Sequence, residues 1–502
     1  MPHDPLDSHF RFKKLIKILG STLLGPHMNT VTAHKKSRLK RWGIVVLCFG
    51  LLTCFICFTG VDHKPYLESH YYKQTLTAIE QTTPDDRLAT LSTLYVGTGK
   101  SSIIPAISGT TKEVEQGIFP GLPLGGYGAR RGAPATGTLD PLYVKAIWLK
   151  SGDAEGAVVA MDMLTPPFEM IDLFREEVSN RLGLPPGHFY FGATHSHGGP
   201  GGWAKGMVGE AFAGPYESGF NIWLKERVFE SLETARKSLQ PASIAFSETE
   251  MPDWVHNRLV HENGIEDPML QSLFIQPESG PLITIGSFSA HATVMGSDSM
   301  QFCGDYPGHW ARVVEDETGG FAMFLAGGVG SHSPTVKTKG HAAAEDMGQA
   351  LARQTVQQWK IAEFAKEPTL SLTEWDIHLP EPHVRVVGNV RLRPWLAKKL
   401  LPTERSVPLP GLRLGNVLLI GTPCDFSGEL AAGLREHFQV GGFHSMITSF
   451  NGDYIGYVVP QKYYYLNAYE SKLMSFYGPS TAPYLTDMVR RLGHHLMDTV
   501  TP

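Results

Sequence analysis

The sequence predicts an α/β fold in which mixed β-sheets are covered by helices in one large domain, preceded by an N-terminal transmembrane helix. Short, wholly apolar runs alternate with helical patterns, as in sheets buried under helices. From Leu94 to the C-terminus there is no Pro/Ser-rich linker, charge block or internal repeat, so residues 94–502 read as one domain. Residues 42–61 (WGIVVLCFGLLTCFICFTGV) carry no charge and are long enough to span a bilayer.

The elements follow in chain order. Residues 1–41 read as a cytoplasmic tail, in which 10–24 has the pattern of a basic amphipathic helix. Lys35, Lys36, Arg38, Lys40 and Arg41 just before the apolar segment keep that side in the cytoplasm. The rest of the chain is then expected to be extracytoplasmic. The competing reading is a cleaved signal peptide, with translation from Met28, and a secreted protein. Residues 62–93 are polar and read as a linker with a short helix.

Within the main domain, 157–161 predicts a strand before a helix at Phe168–Leu182. Phe189–Ala193 predicts a second strand, followed by a glycine loop and a helix over 224–239. Residues 282–288, Phe321–Ala326 and 416–420 predict further buried strands, and 342–363, 427–438 and 484–497 predict helices.

With 502 residues, 42% of them hydrophobic and 19% charged, the chain has the material for a substantial core. A net charge of -5 provides no basic field for nucleic acid. Glycine (53) and proline (35) are abundant, which favours loops over a helical bundle. Cys48, Cys54 and Cys57 lie in the apolar segment. Only Cys303 and Cys424 remain beyond it, so no disulfide framework is expected. The segment GTGKSS at 97–102 is like the end of a P-loop, but Leu94 stands where its first glycine is needed, which excludes that reading.

The polar candidates sit just beyond apolar runs. His195, in HSHGGPG at 195–201, follows Phe189–Ala193; His291 follows 282–288. Ser333 follows Phe321–Ala326 and a glycine turn, Asp425 follows 416–420, and Tyr457 follows 445–450. Ligands of α/β proteins collect beyond strand ends, and imidazoles beside glycines suit a metal. HxH also occurs in loops that bind nothing, and strands ordinarily end in polar turns.

These residues carry a resemblance. GGYG at 125–128, DPLYVKA at 140–146, ATHSHGGPGG at 193–202, Asn257-Arg258, SAHATVM at 289–295, DYPG at 305–308, TPCDF at 422–426, NGDYIGY at 451–457 and YGP at 477–479 occur in the family's order. The chain resembles the catalytic domain of the neutral (non-lysosomal) ceramidases, zinc amidohydrolases that cleave ceramide to sphingosine and a fatty acid. The resemblance implies Zn2+ held by His195, His291, Asp425 and Tyr457, with Ser333 as the catalytic serine. It implies that His197 contacts substrate or supports the ligands, that Arg258 holds the substrate's polar end, and that Tyr469 hydrogen-bonds it. The expected substrate is ceramide or a similar lipid-like N-acyl amide.

Four departures bear on this. Asp425 stands for a glutamate, shortening the ligand arm by one methylene. The serine motif reads GSHSPT at 330–335, with Ser331 in place of an aspartate and His332 beside the serine; adjacent residues rarely point together. Leu139 replaces a histidine common among relatives, and their C-terminal β-sandwich has no counterpart in the sequence. Two rivals stay open: a related hydrolase of another amide or ester, and a non-catalytic binding protein that keeps the fold.

Overall fold

The computed structural model describes residues 31–81, 92–401 and 406–498, with side chains from residue 41 onward. The chain divides into an N-terminal unit, Met1–Phe58, and a unit from Thr59 to Pro502. In the first unit a helix runs over Val31–Cys57. Among the described residues no helix is long and apolar enough to cross a membrane, so the anchor expected over 42–61 is not supported. The end of that apolar run leaves the helix: Phe58–Gly60 is a strand. Val61 is buried, and its N–H reaches the Asn389 carbonyl at 3.0 Å. The amphipathic helix expected over 10–24 lies outside the described residues.

The main unit holds an eight-stranded sheet. Its strands are β1 (Leu94–Ser102), β2 (Tyr143–Ser151), β3 (Ala154–Met161), β4 (Phe189–Ala193), β5 (Gln240–Glu250), β6 (Met269–Pro277), β7 (Ile283–Phe288) and β8 (Phe321–Ala326). Their order is β8-β7-β6-β5-β1-β2-β3-β4, antiparallel except for the parallel pairs β7/β8 and β3/β4 at the two edges. A second sheet has the order β9 (Leu370–His378), β10 (Ser406–Leu414), β11 (Val417–Gly421), β12 (His444–Thr448), with β11 and β12 parallel.

The sheets pack face to face, and period-two alternation explains why so many runs are wholly apolar. Val158 and Ala160 face the second sheet with Leu372, Leu412 and Leu419. Ala157, Val159 and Met161, from the same strand, face a helix layer that includes Phe174 and Phe229. A strand covered on both sides needs apolar residues at every position. Helices Phe168–Leu182 and Phe220–Lys237 cover one half of the first sheet's outer face; Asp305–Thr318 and His341–Ile361 cover the other. Gly428–Val440 and Thr481–Asp498 cover the second sheet.

The excluded P-loop reading gains its physical reason here, and the linker reading changes. The P-loop-like glycines lie in β1, where a Cβ at Gly97 or Gly99 would meet the Ala235 or Ser231 carbonyl at 2.0 and 2.1 Å. They let a helix lie directly on the strand and have no connection with phosphate. The segment expected as a linker is largely built in: its helix, His70–Gln81, buries Tyr72 and Thr75. Thr75 Oγ1 lies 2.7 Å from Tyr484 Oη and accepts the His378 N–H at 2.8 Å.

The two edges of the first sheet meet at the site: β4 and β8 pack against each other near their C-terminal ends. Gly192 of β4 packs on Leu325 of β8, and Ala193, Ala326, Val329 and Phe450 form one buried cluster there. Asn451 ties the layers together: its Nδ2 donates to the Phe191 carbonyl at 2.8 Å, and its Oδ1 accepts from the Thr422 N–H at 3.1 Å.

Candidate metal centre

Two residues beyond β4, His195 adopts a left-handed conformation with φ 59°. Phe450, beyond β12, is also left-handed (φ 64°), and the two rings stack at 3.8 Å with 4° between planes. Such backbone is costly for residues with side chains and persists where its surroundings enforce it. The result aims the His195 ring at His291, which leaves β7 on the opposite side.

The backbone sets both tautomers. His195 Nδ1 lies 2.6 Å from the Leu164 carbonyl and His291 Nδ1 lies 3.2 Å from the Val329 carbonyl, so each Nδ1 carries the hydrogen. Both Nε2 atoms are then acceptors, yet they stand 2.8 Å apart. His197 Nε2 adds a third, 3.3 Å from that of His195. A proton is not what they share: burial pushes His195 down to about 3 and His291 and His197 well below the ordinary histidine value. Converging neutral imidazole nitrogens in a buried place form a donor set that could hold a metal ion.

The carboxylate points the same way. Residues Asp425–Phe426 pair in parallel with Tyr457–Val458, which makes Asp425 and Tyr457 direct register partners. Asp425 Oδ1 is buried without a hydrogen-bond partner and lies 3.7 Å from His195 Nε2 and 3.9 Å from His291 Nε2. Burial holds the Asp425 carboxyl up at about 7, against the pull of Tyr454 and Arg258. A divalent cation fits this donor set, answering both the unpartnered oxygen and the apposed nitrogens. Asp425 reaches the imidazoles despite its short arm, because the strand pair carries its backbone to them.

Sequence reasoning missed Tyr454, whose hydroxyl donates to Asp425 Oδ2 at 2.7 Å and orients the carboxylate. The motif NGDYIGY displayed it, but only Tyr457 was singled out there. Tyr454→Phe removes this donor and is expected to weaken metal binding about 10–100-fold, read by competition with a chelating dye. An unchanged affinity would show that the phenol does not orient the ligand.

His197 lies beside His195, a position that suits the support of the ligands expected as one of its two roles. Gly126 (φ 104°) makes room: a Cβ there would lie 2.4 Å from His197 Nδ1. Tyr127 packs on the same ring at 4.7 Å. Ser333 lies outside the ligand cluster and joins it through Arg258, whose Nη1 donates to Ser333 Oγ at 3.3 Å. The same guanidinium donates through Nη2 to Tyr457 Oη (3.1 Å) and through Nε to Glu470 (2.7 Å). His332 faces away from Ser333: its Nε2 accepts the Asp267 N–H at 3.0 Å and its Nδ1 meets Ser331 Oγ at 2.8 Å. Tyr469 is half exposed and packs edge-on against Tyr457 at the rim. The cleft above the cluster is lined by Leu164, Trp203, Phe212, Phe450 and Met474, and is narrow, about 40 Å³.

No family model matches the chain. An alignment of 164 residues shows 29% identity to the neutral ceramidase of Pseudomonas aeruginosa, covering 29% of this chain and 24% of that protein. The chain thus aligns with about a quarter of the curated relative's length. In fold it is similar to a ceramidase complexed with C2, with TM-score 0.67 and 17% identity over 82% of this chain and 76% of the other. It is also similar to the crystal structure of neutral ceramidase from Pseudomonas aeruginosa, with TM-score 0.65 and 18% identity over 80% and 75%. The chain is thus similar to neutral ceramidases in part of its sequence and, over most of its length, in fold.

Proposed function

We propose that the chain is a zinc-dependent amidohydrolase that cleaves the N-acyl bond of ceramide or a similar lipid amide. The observation that carries this reading is the convergence of three buried imidazole Nε2 atoms and an unpartnered carboxylate oxygen at the foot of an apolar cleft. His195, His291 and Asp425 would hold the ion, with Tyr457 and His197 beside it. When bound, zinc would acidify a water and polarise the amide carbonyl. The chain's own groups do the rest. Arg258 keeps the Tyr457 phenol and the Ser333 hydroxyl in fixed orientations, where either can donate to an oxygen that gains charge. Trp203, Phe212, Phe450 and Met474 give an acyl chain an apolar wall and thin out water around the reacting carbon.

An extracytoplasmic place for the domain is part of this proposal and rests on sequence alone, on the basic residues 35–41 and the apolar run read as an export signal. The function is tested with full-length protein, zinc analysis and a turnover assay. Fatty acid is expected from ceramide and not from simple esters, with loss on chelation and return on adding zinc. Ester hydrolysis alone would favour a related hydrolase of other substrates. A zinc-free chain unaffected by chelator, turning over neither substrate, would favour a binding protein.

A further inference from the structure

A second cluster of metal-ligating side chains lies behind the HSH loop, and neither the resemblance nor the proposed reaction uses it. Asp140 precedes β2, and Cys303 follows the short strand Gln301–Phe302. His309 lies on the helix Asp305–Thr318, and His341 opens the helix His341–Ile361. Ligand atoms of Asp140, Cys303 and His341 all lie within 4.8 Å of one another. Cys303 Sγ is 2.7 Å from Asp140 Oδ2, and His341 Nε2 is 3.3 Å from Asp140 Oδ1. Burial and the Asp140 carboxylate push the Cys303 thiol well up, so without an ion it stays protonated and donates to Asp140, while the Asp305 backbone N–H meets Sγ from 3.3 Å.

An independent observation points to a missing group. His309 is more than nine-tenths buried, and its Nε2 has no hydrogen-bond partner. Arg312 Nη2 donates to His309 Nδ1 at 2.9 Å, which places the imidazole hydrogen on Nε2. That N–H is aimed towards Asp140 Oδ2 but stops 3.9 Å short of it. It lacks an acceptor, a place that an oxygen held on an ion would fill. Arg312 also donates to Asp140 Oδ1 at 2.9 Å. It fixes that oxygen and leaves Oδ2 turned towards the thiol.

We propose that Asp140, Cys303 and His341 form a second site for a divalent ion of zinc's class, with the His309 Nε2–H donating to the ion's fourth, oxygen ligand. One carboxylate, one thiolate and one imidazole leave an open position of the kind zinc fills with water. His341 is partly exposed, which provides a route of entry. Uptake exchanges the Cys303 thiol proton for the ion, so one proton leaves the thiol for each ion bound. The placement also gives the site a consequence. The Cys303 N–H donates to the Gly198 carbonyl at 3.0 Å and its carbonyl accepts from Ser196 Oγ at 2.6 Å. An ion on Cys303 thereby stiffens the loop that carries His195 and His197.

The test uses the full chain loaded with cobalt or zinc, and its outcome is independent of whether the first centre is catalytic. Cobalt is expected to give a thiolate-to-metal charge-transfer band in the wild type. The band should persist in His195→Ala, which spares this cluster, and vanish in Cys303→Ser. The more exposed His341→Gln guards against a misfolded cysteine variant, and both variants should lose about one equivalent of zinc per chain. A folded wild type without the thiolate band, or zinc content unchanged in both variants, would mean that the cluster is only an Arg312–Asp140 ion pair beside a buried thiol.

Discussion

His291→Ala is expected to remove metal binding at the first centre and, with it, most of the proposed amide turnover. Without its imidazole the donor on the β7 side of the centre is gone, and the ion is left open on that side with His195, His197 and Asp425. Losing the ion's stabilisation of developing charge costs several kcal/mol, about 10³-fold in rate. The same variant separates metal effects from folding effects. An ion that binds only the folded state stabilises it by about 4 kcal/mol when present at a thousand times its Kd. The wild type should therefore melt higher when zinc is added. His291→Ala should still show a cooperative transition but no zinc-dependent rise from this centre. Turnover within a few-fold of wild type in a variant lacking that rise would remove the ion from the reaction.

The parts of this molecule legible in its sequence are those where burial leaves one chemical option. Strands covered on both faces, such as 157–161 and Phe189–Ala193, must be apolar throughout, so they stand out as runs and their ends mark where polar residues can gather. His195, His291, Ser333, Asp425 and Tyr457 stand just beyond such runs, and the resemblance picks out four of them as ligands; His195, His291 and Asp425 converge, Tyr457 pairs with Asp425, and Ser333 lies outside the cluster.

What stayed hidden depends on contacts between distant segments. β1 carries glycines because a helix lies on it, and its local pattern imitates a phosphate loop. The helix Asp305–Thr318 contains Pro307 and Gly308 in its first turn and was read only as a motif. Residues around Thr75 are polar, yet they enter the core because a hydroxyl and a phenol satisfy one another there. Tyr454 could be recognised only once the strand pair had placed Asp425 opposite Tyr457. The apolar run at 42–61 shows the reverse case. Its apolar run was plain, but the last residues of that run belong to a strand and a buried valine.

Arg258→Lys and Arg258→Ala should separate the substrate-holding role that the resemblance implies from a role in positioning Ser333 and Tyr457. All three nitrogens of the guanidinium are engaged within the protein, on Glu470, Ser333 and Tyr457, and Glu470 is itself buried. Truncation to alanine strands that carboxylate without a partner, at a cost of about 3–5 kcal/mol in a urea melt. Adding Glu470→Gln to the alanine variant should return much of this, since the stranded charge is then gone. Lysine can still neutralise Glu470, so its stability should stay within about 1 kcal/mol of wild type. A single ammonium cannot also hold the serine and the phenol in their present geometry. The lysine variant is therefore expected to lose about 10–100-fold in kcat with little change in KM. A residue that gripped the substrate's polar end would behave differently: KM would rise and kcat would hold. That outcome would return Arg258 to the substrate-binding role, and the observed one decides whether Ser333 and Tyr457 depend on it for their orientation.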